Sequence, residues 1–253
     1  EYDRTDTATV DFSGHSFGSS VVGSDAVSLV STGYAATFAN RNVANGKTVT
    51  VTGLSLSGAA AGNYQLPSPI TTTGNIVAKQ LTASGITASP KEYDRLLTAT
   101  LNVGSASVNG VISGDTVNIV TGSATGAFAD KTVANSKTVT VSGLSLGGAD
   151  AGNYTLAAYT TTANITAKQL TATNITALDK EYNQLLNATL SLGSAGLSGV
   201  IAGDNVSIVT SSATGAFTDK TVANGKTVTV SGLSLSGGDA ANYTLAAFLS
   251  LIH

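Results

Sequence analysis

The chain has no cysteine, no methionine and no tryptophan, and only 3 prolines in 253 residues. Without cysteine there is neither a disulfide scaffold nor a thiolate metal site. Secretion stays open, because a surface protein exported unfolded gains from having nothing to crosslink in an oxidising compartment. Charge is scarce as well: 11% of residues are charged, against roughly 25% in an ordinary soluble domain. The formal net charge of −3 offers no basic footprint, so no nucleic-acid partner is expected. Apolar runs stop after a few residues, and no basic-plus-apolar leader opens the chain, so no membrane span is expected. A start at Glu1 without methionine fits a segment of a longer polypeptide, or a processed N-terminus.

What is present is repetition. Lys91–Ala158 aligns with Lys180–Ala247 without a gap, and 51 of 68 positions are identical. A more divergent copy precedes them: EYDR at Glu1–Arg4 returns at Glu92–Arg95 and as EYNQ at Glu181–Gln184. NVANGKTVTVTGLSLSG at Asn42–Gly58 returns from Thr132 and again from Thr221. A period near 90 residues is too long for a solenoid coil and long enough for a small domain. The joints fall near Ala78 and Ala167, giving three units: 1–77 without its first strand, 78–167 complete, and 168–253 with its last strand missing or replaced. The closing LSLIH departs from the repeat and is set aside from the fold argument.

Within each unit the pattern has period two. Val139 and Val141, then Leu144 and Leu146, oppose Thr138 and Thr140, as in a half-buried strand. Ser142-Gly143 breaks the parity and marks a bulge or tight bend. Similar runs at 96–103, 116–120 and 154–162 are separated by Gly-Asp, Asn-Gly and Gly-Gly turns. The expected class is all-β: tandem immunoglobulin-like β-sandwich domains arranged as an elongated rod, each sealing its own core.

GAAAGNYQL, GADAGNYTL and GGDAANYTL end the three long strand pairs. DAGNYTL has the D-x-G-x-Y-x spacing of a tyrosine corner, in which the phenol reaches back to backbone upstream. Tyr64, Tyr154 and Tyr243, with Asp150 and Asp239, are the expected structural corner residues, while Ala60 replaces the acid in the first copy.

KEYDR at the head of a unit, GDTVNIV in its middle, the FADKTVANSKTVTVSGLSLGGADAGNYTL stretch and the closing TTTANITAKQLT together resemble the YDG repeats. Tyr2, Tyr93 and Tyr182 hold the signature tyrosine, whereas Arg4, Arg95 and Gln184 stand where that family's tripeptide has glycine. The resemblance implies a tandem array in a large bacterial secreted or surface protein similar to filamentous-haemagglutinin-like adhesins of two-partner secretion. It implies no chemistry in the repeat itself.

Candidate chemical sites are sparse. GHSFG at Gly14–Gly18 fits a G-x-S-x-G elbow, but the strand-like SSVVGSDAVSLV follows where a helix is required, and the only other histidine is His253. No enzyme is expected. Asp25, Asp115 and Asp204 recur in loops, as do Asp130 and Asp219 before lysine; turn and cap roles account for them. No cofactor is expected, and the one metal reading left open is calcium at the joints, where only Asp179 lies. Asn153, Asn164, Asn174, Asn187, Asn205 and Asn242 begin glycosylation sequons. Lys47, Lys137 and Lys226 recur alongside Asn63, Asn153 and Asn242, the residue types of a Lys–Asn isopeptide crosslink. As strand-edge guards, the lysines need no such partner.

The function expected is a structural stalk, spacer or fibre segment, secreted or on a bacterial surface, whose partners are the rest of a repeat array. The alternative is direct adhesion to a glycan, a host protein or neighbouring copies through loops or an edge strand. The absence of tryptophan weighs against the glycan.

Overall fold

The computed structural model of the protein describes the backbone of residues 1–251 and side chains as far as Phe248. Ile252 and His253, the end of LSLIH, lie outside the described residues. The described chain is all-β, with short strands in small sheets, four single 3₁₀ turns and no α-helix. The alternating Thr/Val strands read from the sequence form as ladders. Ala44–Thr52, for example, pairs antiparallel with both Ala35–Phe38 and Ile70–Ile76, burying Val49 and Val51 and exposing the threonines at 50 and 52 to differing degrees.

The chain packs as two compact units that do not follow the repeat boundaries. The first joins 1–85 to 104–123 and 143–159; the second joins 86–103 and 124–142 to everything from Thr160 onward. The middle repeat is thus divided between them. The parity break at Ser142-Gly143 is one of the crossings: Ala134–Ser142 belongs to one unit and Ser145–Gly147 to the other. Gly143, with φ 75°, supplies the left-handed residue that turns the chain.

In the first unit, the three-stranded sheet just described is accompanied by a second one. There Lys79–Ser84 lies between Ser107–Asn109, antiparallel, and Tyr154–Leu156, parallel. Two pairs, Ser28–Val30 with Ser55–Ser57 and Asn118–Val120 with Ser145–Gly147, complete it. The second unit repeats the plan. Its five-stranded sheet runs Lys91–Glu92, Tyr159–Thr166, Ala134–Ser142, Thr125–Phe128, Thr98–Ala99. Lys168–Thr173 lies between Gly196–Ser198 and Tyr243–Leu245. A four-stranded sheet includes Phe248–Leu251 paired to Thr227–Ser231, so the start of the unusual tail does take the place of the last strand.

The cores correct the expectation that each repeat seals itself. Tyr2 and Ile76 of the first copy are buried together with Leu81 and Tyr154 of the second. Tyr93, Phe128, Val139 and Ile165 of the second are buried with Leu170 and Tyr243 of the third. Smaller clusters around Val49 and Val51, and around Ala172, Ile175 and Val230, lie within the first and third copies. The reason is size: strands of two to nine residues leave each half-repeat one apolar face too small to fold alone, and the neighbouring repeat covers it.

Candidate functional site

The residues that recur at the repeat period converge on two interlocks, one inside each unit. Each consists of a hook from one repeat and a socket from the next.

The hook is the signature tetrapeptide. Tyr2 donates its backbone N–H to Val77 at 2.8 Å, Asp3 Oδ1 accepts the N–H of Thr5 at 2.8 Å, and Arg4 adopts a left-handed φ of 72°. The second hook is built alike: Tyr93 N–H to Thr166 at 2.9 Å, Leu96 N–H to Asp94 at 2.9 Å, and Arg95 at φ 66°. A left-handed backbone is the conformation that glycine adopts without steric cost. Here two arginines accept the strain.

The socket is the loop before a tyrosine corner. Tyr154 accepts the N–H of Ile112 at 3.1 Å and donates its hydroxyl to Asp115 Oδ2 at 2.6 Å. Tyr243 does the same with Ile201, at 3.1 Å, and Asp204, at 2.6 Å. Asp150 and Asp239 brace the loop: their carboxylates accept the N–H groups of Thr116, at 2.8 Å, and Asn205, at 2.9 Å. In the first copy, Tyr64 makes the equivalent bonds to Val22 and Asp25 at 2.9 and 2.7 Å, and Ala60 keeps only the backbone bond to Ala26.

Hook enters socket at the aspartate. Tyr2 donates to Asp115 Oδ2 at 2.9 Å, and Arg4 Nε faces Asp115 Oδ1 at 2.8 Å. One Arg4 Nη donates to the carbonyl of Ser113. Arg95 repeats the ion pair with Asp204 at 2.9 Å and donates to the carbonyl of Ala202. The tyrosine pairs meet edge to face, Tyr2 on Tyr154 and Tyr93 on Tyr243, each with ring centroids 5.4 Å apart. A further bond runs beside each clasp: Asn153 Oδ1 accepts the N–H of Val43 at 2.9 Å, and Asn242 Oδ1 that of Val133 at 3.0 Å. The interlocks differ at the hook tyrosine. The Tyr93 hydroxyl is buried next to Asp204 without a well-aligned hydrogen bond.

The aspartates are fully enclosed, with side chains 0% exposed for Asp115 and 1% for Asp204. A buried carboxylate is tolerated only when paired. Burial pushes the Asp115 carboxyl up, but the hydroxyls of Tyr154 and Tyr2 and the Arg4 charge together hold it below the usual carboxylate range. Burial first, and the adjacent carboxylate second, push Tyr154 and Tyr93 up to about 12. Gly114 and Gly203 admit the guanidinium: an added Cβ would lie 2.1 Å from Arg4 Nη1 and 2.4 Å from Arg95 Nη1, and both residues have left-handed φ, 91° and 87°.

Other sequence candidates fall elsewhere. Tyr182 is 62% exposed and enters no socket. Lys137 and Lys226 pair with Asp130 and Asp219, and Lys47 donates to Asn40 at 2.6 Å, while Asn153 and Asn242 serve backbone amides. The Lys–Asn crosslink reading is therefore corrected, since a loop acid or amide seven residues back is the lysine's neighbour. Asn153 and Asn242 are buried, so their sequons are closed to glycosylation in the folded chain. Ser16 accepts the N–H of Gly18, and His15 faces the carbonyl of Phe12. Among the described residues no group of three His, Cys, Asp or Glu side chains converges to hold a metal, and no helix is long and apolar enough to cross a membrane.

Sequence reasoning singled out the tyrosines but assigned Asp115 and Asp204 to turns and left Arg4 and Arg95 without a role. Their recurrence at the repeat spacing was the available signal. No curated protein and no solved structure is significantly similar to the chain. The YDG domain model, by contrast, matches residues 1–72, 77–163 and 166–248, so each interlock joins one matched segment to the next, and the chain belongs to the YDG domain family.

Proposed function

We propose that the chain is a non-enzymatic structural repeat segment, a stalk, spacer or fibre portion of a secreted or surface-attached bacterial adhesin. In this reading the repeats are immunoglobulin-like sandwiches strung into an elongated rod. The observation that carries it is the interlock: a buried Tyr–Asp–Arg clasp and a shared apolar core join consecutive repeats, so neighbours resist bending instead of hinging on a bare linker. An array coupled in this way suits a part whose task is to hold distance. The shortage of charge and the lack of tryptophan fit a passive surface better than a recognition site.

Small-angle scattering tests the reading. A compact chain of this length has a radius of gyration of about 18 Å; a spacer gives a value well above that, with a long-tailed distance distribution. A value near the compact figure rejects the spacer. The second reading, direct adhesion through loops or an edge strand, requires that the isolated chain bind host cells or immobilised glycans on its own.

A further inference from the structure

The residues that open a hook also form one side of a strand pair, and that pair is parallel. Lys91–Glu92 runs parallel to Ile165 and Thr166, the end of the last strand of the same repeat. Tyr93 donates its N–H to the Thr166 carbonyl, the Thr166 hydroxyl donates to the carbonyl of Lys91 at 3.3 Å, and Lys168 pairs with Glu92 at 2.8 Å. The first hook has the same setting, with the Tyr2 N–H on the Val77 carbonyl and Glu1 beside Lys79 at 3.1 Å. The second repeat thus ties its beginning to its own end and, through Arg95 and Asp204, to the repeat that follows.

Tension along the chain acts on this arrangement in a defined direction. It draws Lys91–Glu92 toward the N-terminus, where the chain arrives, and Thr166 toward the C-terminus, where it leaves. Opposite pulls on parallel neighbours slide one strand past the other, so all the bonds between them are strained together; peeling would break them one at a time. The same sliding draws Tyr93 and Arg95 back out of the closed site and leaves Asp204 a buried charge without its partner, which is the costly state. The closures also interleave. Arg4 is bound to Asp115 and Arg95 to Asp204, and position 95 lies between 4 and 115. Every residue from 4 to 204 therefore lies within at least one closure, and tension meets no free linker that could extend first. From this geometry we infer that each interlock is a force-bearing clamp, strong against tension along the chain and weak against peeling.

The clamp rests on the spacer reading for its use and not for its geometry: scattering can reject the rod and leave the clamp, and pulling can reject the clamp in a rod. Optical-tweezers pulling on the full chain tests it. The chain has no cysteine, so a pair of introduced ones fixes where the load enters. Ser89→Cys with Gln169→Cys pulls the two strands in opposite directions along their length. Ser89→Cys with Thr162→Cys, both just ahead of the first paired residues, peels them. All three positions are exposed. At equal load the sliding geometry should unfold at least about tenfold more slowly than the peeling one. Arg95→Ala should speed unfolding about a hundredfold in the sliding geometry, because the loss falls on the unfolding rate when the bond is already broken in the transition state. In the peeling geometry the same substitution should change the rate far less. Equal rates in the two geometries would overturn the inference, and so would an Arg95→Ala effect of the same size in both, which would make the arginine a general stabiliser. Should Arg95→Ala fail to fold by circular dichroism, the two geometries compared without that substitution still decide it.

Discussion

Asp115 and Asp25 stand at the same place in two copies of one loop, each accepting a hydroxyl from its corner tyrosine at 2.6 and 2.7 Å. One is sealed beneath Tyr2 and Arg4; the other faces solvent. The corner therefore forms without the hook, and what the hook adds is burial. That separates two roles the motif combines: the tyrosine shapes the loop from within its own repeat, and the signature tetrapeptide of the preceding repeat turns that loop into a joint. Equal substitutions at the two places must therefore give unequal losses.

The largest contrast is at the acids themselves. Asp115→Ala strips Tyr2, Tyr154 and Arg4 of a shared partner inside a closed site, and removing one member of a buried network costs on the order of 3–5 kcal/mol. Asp25→Ala leaves groups that water can satisfy, so the denaturation profile should barely move. Urea unfolding followed by circular dichroism reads both. Equal midpoints for the two variants would mean that the enclosure of Asp115 contributes nothing.

Titration sharpens the same contrast. The Asp115 carboxyl is held below its unfolded value in the fold, so its contribution is complete above the ordinary carboxylate range and drains as pH falls through the lowered folded value. Tyr154 and Tyr93 run the other way. Their folded values of about 12 lie above the unfolded value near 10, so their contribution is complete below pH about 10 and is lost as pH rises toward 12. Phenolate absorbance during an alkaline titration should show these groups ionising late, together with unfolding. A transition complete by pH about 10 would mean they are not enclosed.

A third expectation concerns the floor of the socket. Gly114→Ala places a methyl against the Arg4 guanidinium at a left-handed backbone, at a cost of about 1–3 kcal/mol. Ser24→Ala, at the register position of Gly114 in the exposed first-copy loop, should leave the melting temperature where it is.

How much of this the sequence discloses depends on the range of the interaction. The strands were legible because Val139, Val141 and their threonine neighbours alternate locally, and the bend at Gly143 was legible because it breaks that alternation. The Tyr154 corner was legible too, since its spacing lies within seven residues. The pairing of Arg4 with Asp115 was not, because no local pattern links residues 111 positions apart. The repeat itself misled: self-similarity invites the assumption that the period in sequence is the unit in space. A tandem chain whose half-repeats exchange partners with their neighbours has the same period as one whose repeats fold alone. The burial of Tyr2 beside Tyr154, and of Tyr93 beside Tyr243, distinguishes them.

The smallest effect is the most discriminating, because it is one of sign. Arg4 and Gln184 occupy the same left-handed turn, with φ 72° and 63°. A non-glycine residue there bears about 1 kcal/mol of backbone strain, which glycine relieves, less the conformational freedom glycine gains when unfolded. At Gln184 nothing else is lost in the isolated chain, so Gln184→Gly should be neutral or stabilising by a few tenths of a kcal/mol. At Arg4 the same exchange also removes an ion pair to an enclosed carboxylate and a bond to Ser113, so Arg4→Gly should destabilise, by about 1–2 kcal/mol net. Thermal melts of the two variants side by side decide it: opposite signs locate the value of the side chain in the socket it enters, whereas a shared sign would make the turn alone responsible and leave the arginine without a function in the joint.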